Sequence, residues 1–158
     1  MSDALPPFGL HEKELMANDA TEWTLCIVKP DAVKKKYQAQ ILQRVIEEGF
    51  DVVALRQETL SRNVVEGFYA IHKARPFFGE LVDYMMGGPV VLVALRRPNA
   101  VAHWRQVIGA TDPRKAEAGT VRRQFGTDLT SNAVHGSDSP ENGLRETAYF
   151  FLGSELGR

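Results

Sequence analysis

The chain has 158 residues, 44% of them hydrophobic and 25% charged, with a formal net charge of −1. That is enough for one domain with a real core, and the near-zero charge excludes a global attraction to nucleic acid or anionic membrane, so an anion site must be a local cluster of Lys and Arg. Cys26 is the single cysteine, which excludes an intrachain disulfide and a cysteine-rich zinc site; the absence of a signal-like leader or a bilayer-length apolar run points to the cytoplasm.

Residues 1–20 mix Pro6-Pro7, Gly9 and alternating charges and read as an N-terminal extension, leaving 21–158 as a single domain. Trp23 to Val28 reads as a buried strand, ended by Lys29-Pro30-Asp31, which places Lys29 at a strand end. Ile41, Leu42, Val45 and Ile46 fall at helical spacing within a segment from Val33 to Glu48, and Gly49 supplies the stop. Lys34-Lys35-Lys36 at its start opposes the helix dipole and reads as a solvated face or a phosphate neighbour. Phe50 to Leu60 gives a second strand. Ser61 caps a helix over Asn63 to Lys73, and Phe77 to Met86 forms a second short helix, with Tyr69, Phe77, Phe78 and Leu81 at the rim of the pair. Pro89 to Leu95 is continuously apolar, as a central strand requires. Asn99 is the expected cap of a helix through Ile108 whose Val101, Trp104, Val107 and Ile108 face inward. Ala110 to Asn132 is a long loop, of the kind that carries function, and it holds Thr111, Arg114, Lys115, Arg122 and Arg123 beside Arg105. Ala133-Val134 is a short strand leading into His135. Ser139-Pro140-Glu141 is a helix start, and that helix presents Glu146 about two turns in.

Without the inserted helical hairpin the order is βαββαβ. It implies an α+β, ferredoxin-like fold: a four-stranded antiparallel sheet with helices on one face, the hairpin inserted, and a long loop before the last strand. Strands one and four then bring Lys29 and His135 to a common edge. Arg105, Arg122 and Thr111 complete a cluster suited to a polyphosphate. No glycine-rich phosphate loop of either familiar kind is present, so side chains must build the site. An isolated histidine at a turn more often caps that turn than reacts. Near such a cluster, however, a neutral imidazole suggests phosphoryl transfer through a phosphohistidine.

Six ordered motifs carry a resemblance to the nucleoside diphosphate kinase family: Val28-Lys-Pro-Asp31, Arg75-Pro-Phe-Phe78, Gly88-Pro-Val-Val91, Gly109-Ala-Thr-Asp-Pro113, Gly119-Thr-Val-Arg122 and Asn132-Ala-Val-His-Gly-Ser-Asp-Ser139. The resemblance covers about Thr24 to Phe151. It implies a ping-pong kinase in which His135 takes the γ-phosphoryl of a nucleoside triphosphate such as ATP or GTP and passes it to a diphosphate, sustaining the cell's triphosphate pools. Glu146 would fix the imidazole tautomer, with Ser137 in the same network. Lys29, Arg105, Thr111 and Arg122 would hold the phosphates, with Mg²⁺ bridging their oxygens. Asn132 and Lys29 would hold the sugar hydroxyl, Phe77 would stack on the base between Leu81 and Leu129, and Tyr69 would border the phosphohistidine. Stacking without base-edge bonds implies tolerance of every base. The resemblance also implies a homo-oligomer, a tetramer or a hexamer.

The chain departs from the family at Asp31-Ala32-Val33-Lys34-Lys35-Lys36, where an Asp-Gly-Val and then an Arg-Gly pair are usual. It departs again at Arg122-Arg123-Gln124-Phe125 and Thr130-Ser131-Asn132. None of these removes a residue given a catalytic role; they bear on loop geometry and subunit contacts. Two other readings stand beside the first: a relative kept as a phosphohistidine donor or regulatory subunit, and a βαββαβ nucleic-acid module. The absence of exposed strand aromatics and of a basic balance argues against the second. His11, His72, His103 and His135 lack the spacing of a protein-held metal site.

Overall fold

In a computed structural model, residues 21–157 are described; the extension at 1–20 lies outside them. The four strands are β1 (Thr21–Val28), β2 (Asp51–Thr59), β3 (Pro89–Pro98) and β4 (Val134–His135), all antiparallel, in the order β2-β3-β1-β4. β1 and β3 are therefore central, as their unbroken apolar runs require. β4 adds to β1 through Ile27↔His135 and Val28↔Val134, so the last two residues of β1 are fixed against the histidine.

The helices are α1 (Pro30–Lys34), α2 (Gln38–Glu47), α3 (Arg62–Phe68), α4 (Phe78–Met85), α5 (Ala100–Ile108), α6 (Val121–Phe125) and α7 (Pro140–Phe150). They cover both faces of the sheet, not the one face expected. Alternate residues of a strand point to opposite faces. Cys26 and Val28 of β1 accordingly pack with Ile41, Val45 and Trp104, while Leu25 and Ile27 pack with Val65, Met85 and Phe150. The inserted hairpin and α7 together are large enough to bury the second face.

Three local expectations change. The helix expected from Val33 to Glu48 is two helices, because Lys36 turns the chain with φ 62° between α1 and α2. Ile46, although in phase with the apolar set, is 59% exposed. The helix expected over Asn63 to Lys73 stops at Phe68, and Ala70–His72 tightens into a 3₁₀ turn. Asn99 sits at the start of α5 in a left-handed conformation and makes no side-chain cap. The carboxylate of Glu22 on β1 accepts from the Val101 amide instead, at 3.2 Å. Ser61 and Ser139 do cap α3 and α7, accepting from the amides of Val64 and Asn142.

Candidate active site

Lys29 leaves β1 immediately before Pro30 opens α1 and is 8% exposed. Its Nζ donates to Oδ1 of Asn132 at 2.8 Å. The Asn132 amide in turn donates to the carbonyls of Thr111 at 3.0 Å and Leu129 at 3.3 Å. One buried side chain thus ties both ends of the long loop to the lysine, which is how residues 21 and 103 positions away from Asn132 come together.

His135 sits on β4 with Nε2 2.7 Å from Oε1 of Glu146. A carboxylate only accepts, so Nε2 carries the proton and Nδ1 is left with its lone pair. The Ser137 hydroxyl donates to the same Glu146 oxygen at 2.8 Å and accepts from the Leu25 amide at 3.0 Å, which anchors the carboxylate to β1. Glu146 reaches the imidazole because α7 lies directly on β1. A Cβ at Gly143 would fall 1.9 Å from the carbonyl oxygen of Trp23, so glycine alone permits that approach. The Phe68 ring meets His135 edge-on at 5.5 Å, and Tyr69 packs beside Phe68. Burial, then the Glu146 charge, pushes the Tyr69 phenol up from its ordinary value, so it stays protonated.

His135 lines a cleft of about 440 Å³, a size suited to a small ligand. Lys29, Arg122, Asn132 and Thr111 stand around it, with Tyr69 between them and an apolar end made by Phe77, Leu81 and Leu129. Phe77 is 48% exposed and Leu129 58% exposed, so neither is core. Arg122 donates to the carbonyls of Gly109 and Val134, both at 3.0 Å, and its buried Nε has no partner among the described residues. Burial, then the Arg105 charge, pulls the Arg122 guanidinium down from its ordinary value. Burial with the Arg122 charge beside it pulls the Lys29 ammonium down to about 8, against the opposing pull of Asp31. Among the described residues neither cation is held by a carboxylate at ion-pair distance, and two desolvated cations so placed favour an anionic ligand.

Three expected residues do not line the cleft: Glu146 meets the imidazole from α7, and Ser137 and Arg105 stand off it. Ser137 is fully buried behind the imidazole, and Arg105 is exposed on α5, where its charge is felt by Arg122 and Asp138. Three residues that sequence reasoning passed over line it: His72, Glu80 and Thr130. His72 follows Tyr69 by three residues and Glu80 follows Phe77 by three, so helical spacing from two residues already singled out was the available signal. The His72 ring lies 6.4 Å from Tyr69 and 6.0 Å from Phe77, continuing a row of rings from Phe68 to the apolar end. Thr130 had no comparable signal.

Fold and site together define a class: an α+β protein with an imidazole lining a cleft that also holds Lys29, Arg122 and the ring of Phe77. Comparison with known proteins narrows it. The nucleoside diphosphate kinase family profile matches residues 22–156. A nucleoside diphosphate kinase of Anaeromyxobacter sp. (strain K) is 55% identical over 132 residues, covering 84% of this chain and 90% of that one. One from Salinibacter ruber is 47% identical over 137 residues, covering 87% and 96%. Among solved structures, the Aquifex aeolicus nucleoside diphosphate kinase superimposes with a TM-score of 0.83 at 44% identity, covering 85% of this chain and 98% of that one. The Halobacterium salinarum enzyme, solved in complex with CDP, gives 0.82 at 34% identity, covering 85% and 90%. The chain belongs to the nucleoside diphosphate kinase family, and its activity is that of a nucleotide phosphotransferase of this kind.

Proposed function

We propose that the chain moves the γ-phosphoryl of a nucleoside triphosphate to a nucleoside diphosphate through a phosphohistidine on His135. In the first half-reaction Nδ1 attacks the γ-phosphorus, an N–P bond forms, and the bond from that phosphorus to the β,γ-bridging oxygen breaks, releasing the diphosphate. The second half-reaction reverses these steps with a different diphosphate. The observation that carries the reading is the Ser137–Glu146–His135 chain, which keeps the proton on Nε2 of an imidazole lining the cleft. Glu146 also stabilises the positive charge that the ring gains as Nδ1 bonds to phosphorus.

Lys29, Arg122 and Thr111 receive the phosphates, with Arg105 adding charge from the rim. Phosphoryl transfer asks mainly for positioning and charge neutralisation, and that is what these groups supply. Asn132 and Lys29 hold the sugar hydroxyl near the leaving oxygen. Phe77 stacks on the base, with Leu81 and Leu129 beside it, and Tyr69 borders the phosphorylated imidazole. Stacking recognises a π-face that all bases share, which supports broad base tolerance.

A divalent cation belongs to this chemistry, and we take it to be Mg²⁺. The described residues contain no group of three His, Cys, Asp or Glu side chains poised around a point, and the cleft sets Lys29 and Arg122 against the single carboxylate of Glu80. That donor set fits an ion held by phosphate oxygens; when bound it neutralises charge on the phosphates, and the protein's part is to hold those phosphates.

We also propose a cytoplasmic homo-oligomer, a tetramer or hexamer. Support for assembly comes from β2, an edge strand, with Leu55 on it 49% exposed. Light scattering on the full chain tests this, and a monomer at micromolar concentration would contradict it. The His135→Ala variant tests the mechanism: transfer is expected to vanish while the unfolding midpoint stays close to that of the parent. Turnover surviving in that variant would refute the role of His135.

A further inference from the structure

The segment that delivers His135 contains a strained turn. Ala133 is fully buried with φ 74°, and the Val134 amide reaches back to the Asn132 carbonyl at 2.9 Å. This is a γ-turn of the positive-φ kind, a rare form, on a residue that has a Cβ. Asn132, which holds Lys29, stands on one side of it, and Val134-His135 on the other. A strained turn persists only where its surroundings over-determine it.

Two groups do so. The Lys29 amide donates to the Ala133 carbonyl at 2.8 Å. The Ala133 amide donates to Oδ2 of Asp31, at 3.1 Å, from the first turn of α1. The other oxygen of Asp31 accepts from the hydroxyl of Tyr84 on α4. Burial, with the Asp31 carboxylate beside it, pushes the Tyr84 phenol well above its ordinary value, so it remains a donor through the neutral range. Neither Asp31 nor Tyr84 lines the cleft that holds His135. Ala133 gives them a route to it.

We propose that Asp31, seated by Tyr84, is a positioning residue for phosphoryl transfer: it clamps the Ala133 turn so that Asn132 and His135 keep their mutual geometry. The inference rests on His135 being the nucleophile. A second route is open to Asp31, since its charge also favours the protonated form of Lys29. Asp31→Asn separates the two, because it keeps an oxygen for the Ala133 amide and loses the charge. Asp31→Ala loses both. Tyr84→Phe leaves the carboxylate and removes the hydroxyl that seats it, together with that hydroxyl's hydrogen bond to Ser131, which Ser131→Ala removes alone.

The test is the single-turnover rate at which Mg·ATP phosphorylates the full-length chain, followed by quench and intact mass, with ADP affinity and thermal unfolding measured on each variant. Displacing a reacting group by about 1 Å costs on the order of a hundredfold, so Asp31→Ala is expected to slow phosphorylation by at least about tenfold. Asp31→Asn is expected to stay within about threefold of the parent, and Tyr84→Phe to fall between the two. ADP affinity should change much less than the rate. A parent-like rate in Asp31→Ala, or an Asp31→Asn rate as low as that of Asp31→Ala, overturns the proposal. If Asp31→Ala does not fold, Tyr84→Phe decides: a rate below that of Ser131→Ala supports the clamp, and a rate no lower than that of Ser131→Ala refutes it. A parent chain that takes up no phosphoryl group would overturn the His135 reading and the clamp with it; the other outcomes bear on the clamp alone.

Discussion

Lys29 is the cleft cation whose charge changes near neutral pH, since its ammonium is pulled down to about 8 in the free protein. Bound phosphates favour the charged form, so nucleotide binding takes up a proton and affinity falls as pH rises through that value. Titrating ADP by calorimetry between about pH 7 and pH 10 checks this, and Lys29→Arg should flatten the profile because a guanidinium keeps its charge. A parent affinity that holds steady above pH 8 would contradict it. Stability moves the other way. The unfolded lysine titrates near 10.4, so between about 8 and 10.4 the unfolded chain binds the extra proton and the free protein gains stability as pH rises. Residue by residue, what was legible in the sequence was chemistry that acts locally or in a known motif. Lys29 announced itself at a strand end, and Ser139 and Pro140 at a helix start. Glu146 and Ser137 became readable only through the family resemblance, because no spacing rule links them to His135 before the fold does. Asp31 read only as part of the break that ends a strand; that it receives the Ala133 amide depends on a contact between residues 102 positions apart.

Among the elements, the glycines and their replacements decide the local geometry. Lys36 turns the chain at φ 62°, in the left-handed region that favours glycine, and its side chain is exposed. Lys36→Gly is therefore expected to raise stability by about 1 kcal/mol in denaturant unfolding, the scale of the left-handed penalty, with turnover unchanged. A loss of stability would show that the lysine is held there by something stronger. Lysine gives no signal for a left-handed turn, which is why one helix was expected where α1 and α2 stand. Gly143 is the opposite case. A methyl group there would strike the Trp23 carbonyl and push α7 away from β1, carrying Glu146 with it. Gly143→Ala is expected to lose about 1–3 kcal/mol of stability and to reduce turnover as well. A variant that keeps both would mean that α7 can shift without moving the carboxylate.

For the whole molecule, the order of strands and helices was enough to give the sheet, because βαββαβ connectivity leaves few arrangements once crossings are excluded. The second covered face was not legible, since nothing in the sequence of the inserted hairpin says against which surface it packs. The cleft follows from the sheet: β4 pairs with the end of β1, which brings His135, Lys29 and the returning long loop to one edge. That edge is where the proposed phosphohistidine relay would form. Intact mass tests it most directly, first after brief exposure of the full chain to Mg·ATP and then after a chase with a different nucleoside diphosphate. One acid-labile phosphoryl group per chain, lost in the chase as the new triphosphate appears and never gained by His135→Ala, is the expected result. A chain that binds nucleotide and turns it over without ever carrying the phosphoryl group would contradict it.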